Sequence, residues 1–166
     1  MLDKWDERPQ DVSNLLNPAF LGLLLHKSVR GFKREANAGM PFELISLVLP
    51  FVLHPATRNR LPAKITTTLP TWLQLNRDLL VGLPKRTREL LPFTREALSF
   101  LVGRGVLVFN DDGRIDAGAI TPASTSQYQE ATEEIAACCK RAEFVGRWLA
   151  LAGSATTIYI LLGIRP

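Results

Sequence analysis

Apolar residues recur along the first third of the chain at helical spacing, and the interruptions divide them into elements. Leu21, Leu24, Leu25, Ser28 and Phe32 share one face of a predicted helix. Asn17 and Pro18 supply a cap and a first-turn proline at its start, and Asn37-Ala38-Gly39 ends it. The next segment, from Met40 to Pro55, is apolar on nearly every side, which predicts a helix at the centre of the core. Pro50 predicts a kink or a restart inside it, and Pro55 closes it. His54 to Thr68 has no apolar rhythm and carries Arg58, Arg60 and Lys64, so it reads as an exposed connection. Leu69-Pro70-Thr71 then opens a helix with Trp72, Leu73, Leu75 and Leu79 as its apolar positions.

Between Leu83 and Ala117 the period changes. Two short helical patterns flank Pro92-Phe93-Thr94, and Gly103-Arg104-Gly105 gives way to the β-rich run Val106 to Phe109. Asn110-Asp111-Asp112-Gly113 supplies residues that tolerate positive φ between two alternating segments, which is a hairpin signal. The expected order is helix, turn, helix and hairpin, the pattern of a winged helix-turn-helix at about residues 83–117.

Residues 119–126 read as a linker. Tyr128, Ala131, Ile135, Cys138, Ala142, Val145, Leu149 and Ala152 then mark one face of a long helix at about 127–151. Glu130, Glu133 and Glu134 precede Lys140, Arg141 and Arg147 on the other face, the order that suits the helix dipole. A last apolar segment, Ile158 to Ile164, must pack on something. The expected fold is mainly α: an N-terminal arm at 1–14 and a single helical domain at 15–166 that contains the winged-helix portion.

Composition adds little to this picture but excludes several classes. With 46% hydrophobic and 22% charged residues, the chain is globular rather than disordered. A net charge of +4 permits phosphate contact without demanding it. The acidic, polar start lacks an export signal, and the longest apolar stretch is too short to span a bilayer, so a cytoplasmic protein with no membrane contact is expected.

Candidate chemistry is sparse. His26 and His54 each end an apolar run without an acid or cysteine at ligand spacing, and both read as structural. Cys138 and Cys139 are adjacent on a helix, so their side chains diverge by about 100° and cannot share a metal; Cys138 falls on the apolar stripe. Asp111-Asp112-Gly113 lacks the spaced acids of a calcium loop, and no glycine-rich phosphate loop occurs. No catalytic residue, cofactor or metal is expected. Charge remains: Lys85, Arg86, Arg88, Arg95, Arg104 and Arg114 gather around the helix-turn-helix and wing, where phosphate contact is made in DNA-binding proteins. Thr94 to Val102 offers only Arg95, Glu96 and Ser99 as polar positions, too few to read base edges. Protein docking, with unspecific phosphate contact at most, is the preferred reading.

Five phrases make the pattern specific: NLLNPAFLGLLL (14–25), MPFELISLVLPFVLHPATRNRLP (40–62), TWL (71–73), PFTREALSFLVGRGVL (92–107) and the ending GIRP. In that order the chain resembles the middle component of three-component ABC systems, the small subunit encoded with an SMC-like ABC ATPase in bacterial conflict loci. It is also similar to the small accessory subunit of Lamassu-type anti-phage systems. The resemblance implies a non-enzymatic subunit that binds the head region of an SMC-like ABC ATPase and helps restrain an effector, often a nuclease, until foreign double-stranded DNA is sensed by the complex. Candidate partner or DNA-backbone contacts are Arg58, Arg60, Lys64, Lys85, Arg86, Arg88, Arg95, Arg104 and Arg114. The alternative is a stand-alone winged-helix DNA-binding regulator.

Overall fold

Asn17 starts the first helix by its side chain. In the computed structural model, which describes residues 7–10, 16–122 and 133–164, its Oδ1 accepts from Ala19 N at 2.8 Å. Helix α1 (Pro18–Ala36) ends at Asn37, whose left-handed φ of 51° lets its N–H donate to Lys33 O. The predicted face, Leu21, Leu24, Leu25, Ser28 and Phe32, is buried.

That face meets α7 (Glu133–Ala150), the described part of the long C-terminal helix; residues 127–132, including Tyr128, Ala131 and Glu130, lie outside the described residues. Two glycines permit the approach. Gly146 lies on the backbone of Ser28 and Gly31 on the carbonyl of Glu143, so a Cβ at either would collide with main chain. Arg34 Nη1 to Glu143 Oε1 (2.7 Å) and Arg147 Nε to Glu35 Oε1 (2.6 Å) close the rim of the crossing. Both cysteines are buried, although the stripe placed only Cys138 in the core.

A 3₁₀ turn (Phe42–Leu44) leads into α2 (Ile45–Val52), every residue of which is buried. This is the central helix that its all-round apolarity predicts. It does not restart at Pro50: the helix ends two residues later, so the proline removes one donor close to the C-terminus. Pro55 opens a helix rather than closing one. It occupies the first turn of α3 (Pro55–Arg60), capped by His54, whose Nδ1 accepts from Thr57 N at 3.2 Å.

The expected exposed connection at 54–68 is therefore half helix, and its remainder is tied to the core. Trp72 Nε1 donates to Arg60 O (2.7 Å), Trp148 Nε1 to Thr67 O (2.6 Å) and Arg141 Nη1 to Pro62 O (3.1 Å). A buried indole needs an acceptor, and this segment supplies two of them. The same tryptophans stack edge-on at 5.4 Å between centroids, with Phe51 5.9 Å from Trp72 and 6.1 Å from Trp148.

The helix predicted after Thr68 breaks in two, α4 (Leu69–Leu75) and α5 (Arg77–Leu80). Buried Asn76 lies between them, and its side-chain amide donates to Trp72 O at 2.8 Å. Its local hydrogen bond competes with the helical one.

Helix α6 (Leu83–Gly103) overturns the expected helix-turn-helix, because it runs unbroken through Pro92 and Thr94. Pro92 is exposed, so the carbonyl it leaves unpaired is within reach of water. Thr94 Oγ1 donates to Leu90 O (3.0 Å) and Thr87 Oγ1 to Leu83 O (2.9 Å), which satisfies both hydroxyls inside the helix. The hairpin itself forms as predicted. Strands β1 (Leu107–Phe109) and β2 (Ile115–Ala117) pair antiparallel, with Leu107 opposite Ala117. Asn110 Oδ1 accepts from the amides of Asp112 and Arg114, and Gly113 takes φ 72°. Met40 adds a one-residue bridge, exchanging two backbone hydrogen bonds of 2.8 Å with Ile115.

The last apolar segment becomes α8 (Ala155–Leu162), capped by Ser154, with Gly163 in the left-handed region. Tyr159 on α8 donates to Glu43 O at 2.7 Å and lies 2.6 Å from Ser46 Oγ, fastening α8 to the entry of α2.

Candidate protein-docking surface

The nine cations expected at a partner surface divide by environment. Arg58 is only 7% exposed: its Nη1 donates to Val52 O at the end of α2 (2.9 Å) and its Nη2 to Glu134 Oε1 (2.8 Å). It joins α3 to α2 and α7, so its expected exposure is overturned. A guanidinium can be buried there because a helix-end carbonyl and a carboxylate both accept from it. Arg86 is half-buried at the junction of three helices, with Nη2 3.3 Å from both Thr57 Oγ1 on α3 and Leu79 O on α5. Burial holds its pKa below the ordinary arginine value. Arg114 donates from the hairpin turn to Gly39 O at 3.2 Å.

The remaining six lie nearer the surface. Arg60 and Asp78 form a forked pair, 2.6 and 3.0 Å, which lowers the Asp78 carboxyl and raises the guanidinium, chiefly through the shared hydrogen bonds. Lys85 stands 3.8 Å from Glu89, a weak contact between exposed groups. Arg104 lies 4.5 Å above the Phe100 ring. Lys64, Arg88 and Arg95 are exposed. Lys85, Arg88 and Arg95 recur at helical spacing along the outer face of α6.

Exposed apolar residues are what the sequence reading missed. Phe42 and Phe109 stack at 6.0 Å while each is nearly half exposed. Beside them a cleft of about 540 Å³ opens between the end of α1, the hairpin turn and the α7–α8 link, bounded by Phe32, Pro41, Glu43, Asp112 and Ser154. The available signal was the brevity of the hairpin. Only Leu107 of β1 points into the core, leaving Val108 and Phe109 uncovered. Leu75 and Val81 flank α5 and are more exposed still.

Burial, helped by Arg30 and Lys27, pushes the His26 pKa down to about 4. Burial also raises both thiols, Cys138 and Cys139. Among the described residues no group of three or more His, Cys, Asp or Glu could hold a metal ion. Among the same residues no single helix is long and apolar enough to cross a membrane.

These features define a mainly helical protein with a small antiparallel hairpin, whose surface offers cations and uncovered apolar side chains. The family model for the ABC-three component (ABC-3C) system Middle Component 3 matches residues 5–166, and the chain belongs to that family. It is thus an accessory component of a multi-subunit ABC-three component system. No curated protein and no solved structure matches it.

Proposed function

We propose that this middle component is a non-enzymatic, cytoplasmic subunit that docks on the head region of an SMC-like ABC ATPase and helps restrain an effector, a nuclease in the simplest case, within an anti-phage or anti-plasmid complex similar to the Lamassu type. The observation that carries the reading is the family match over nearly the whole chain. The surface supports it: exposed apolar residues such as Phe42, Phe109, Leu75 and Val81 suit contact with protein. The order of elements supports a winged-helix body, assigned differently from the sequence expectation. Helix α1, the Met40 bridge, α2, α6 and the hairpin follow one another as helix, strand, helix, helix and wing, with α6 as the third helix and 53–82 as an insertion. Double-stranded DNA is contacted by the assembled complex without sequence readout, a reading that the exposed Lys85, Arg88 and Arg95 on α6 support.

The test is co-expression with the ATPase and effector encoded in the same system. Stable co-purification with the ATPase and lower effector activity in the assembled complex are expected. A chain that stays monomeric beside its ATPase would overturn the reading. The winged-helix order also favours a second reading, a stand-alone DNA-binding regulator. Tight binding of one defined duplex by the isolated chain, with sequence discrimination, would establish that reading instead.

A further inference from the structure

Cations are unevenly distributed in this chain. From His54 to Arg95 there are eight Lys and Arg and two acids, a net +6, so the other residues together carry −2 of the overall +4. One of the two acids, Asp78, is already engaged by Arg60. The other, Glu89, only approaches Lys85 at 3.8 Å.

Three of these cations, Arg60, Arg77 and Arg86, meet at one junction. Arg86 links α3 to α5 through Thr57 and Leu79, and Arg60 links the same two helices through Asp78. Arg77 on α5 is exposed beside it. At the same junction Leu75 is 74% and Val81 is 86% exposed, one on either side of the four-residue α5. Arg86 Nε is buried without a hydrogen-bond partner, and among the described residues no carboxylate is paired with its guanidinium. A half-buried cation of that kind is stabilised by an anion brought from outside.

We infer that the junction of α3, α5 and the first turn of α6 is a docking surface for an acidic, amphipathic segment of a partner protein, whose apolar side chains cover Leu75 and Val81 and whose carboxylates meet Arg77 and Arg86. This rests on the docking reading above and places it on the molecule. A protein segment fits better than a nucleic acid. Phosphates neutralise cations but gain nothing from two uncovered aliphatic side chains, whereas a protein interface combines an apolar centre with a charged rim. An amphipathic helix laid across such a surface is a recurring mode of recognition.

The experiment measures affinity between the full chain and the ABC ATPase encoded in its own system. The wild type is compared with Leu75→Asp/Val81→Asp and with Arg77→Glu, and Lys140→Glu on the exposed face of α7 serves as a control. All substituted positions are exposed, and circular dichroism checks that each variant remains folded. The apolar pair and Arg77→Glu are each expected to weaken binding by at least about tenfold, with Lys140→Glu unchanged, and Arg77→Glu to flatten the salt dependence. If both variants bind as the wild type does, this surface is wrong while docking stands. If the wild type binds no component of the system, docking and surface fall together. If Arg77→Glu loses affinity for a random-sequence duplex and the Leu75/Val81 pair binds the ATPase normally, the junction is a nucleic-acid surface and the inference is overturned.

Discussion

Arg8 and Glu96 stand 88 residues apart and meet through two parallel hydrogen bonds, Nη1 to Oε2 at 2.8 Å and Nη2 to Oε1 at 2.7 Å. Arg8 belongs to the predicted N-terminal arm, and Glu96 sits on α6 among the few polar positions that base readout would need. Glu96 is instead occupied by Arg8, whose side chain is only 6% exposed.

Removing the acid takes the forked acceptor away from a buried guanidinium. Glu96→Ala is expected to cost about 2 kcal/mol, the scale of hydrogen bonds to charged groups, or a Tm fall of roughly 4–8 °C for a domain this size. Arg8→Ala should cost a similar amount, and the double variant less than the sum. A double-mutant cycle from thermal melts checks this, and strict additivity would show that the two side chains are not coupled.

Gly146 marks the closest approach of α1 and α7, against the backbone of Ser28. Gly146→Ala forces the helices apart and is expected to destabilise by about 1–3 kcal/mol, as overpacking does, despite alanine's better helix propensity. Gly103, at the end of α6, faces open space, with nothing within 4 Å of where an added methyl group would stand, so Gly103→Ala should be neutral or slightly stabilising. Urea titrations of the two variants test the contrast; equal midpoints would contradict the packing argument.

Both histidines have pKa values below the ordinary 6.5, His26 at about 4, in each case mainly through burial. The unfolded chain therefore binds protons first as pH falls, and stability present above pH 6.5 is lost as the pH drops toward 4. The contribution of His26 alone amounts to about 3 kcal/mol across that window. His54 works in the same direction, since protonating Nδ1 abolishes the α3 cap. Melting curves between pH 7.5 and 5 are expected to show a falling Tm, flattened in His26→Gln and flatter still with His54→Asn, which retains a cap acceptor. A wild-type Tm constant across the range would exclude the effect.

How far the sequence could be read depended on whether a residue's role was local. Asn17, Asn37, Gly113 and the stripe on α1 act on near neighbours, and each does what its residue type predicts. The centrality of α2 was visible because all its faces are apolar. Prolines misled where the surroundings removed their cost. Pro92 lies on a solvent-facing turn of α6, and Pro55 starts a helix behind a histidine cap, a role outside the usual Ser, Thr, Asp and Asn set. Arg58 and Arg86 looked like solvent-exposed cations because their acceptors, Val52 O, Glu134 and Leu79 O, are invisible until the helices pack. Exposure of Leu75 was hidden for the same reason, since only the break at Asn76 turns it outward.

The crossing of α1 with α7 also governs when the protein can be assembled. The contacts closing it, Arg34 with Glu143 and Arg147 with Glu35, join residues 109 and 112 positions apart. During synthesis at roughly 5–20 residues per second, the inner face of α1 and much of α2 wait for several seconds before α7 leaves the ribosome to cover them. The nascent chain thus presents its stickiest surface before its own lid exists.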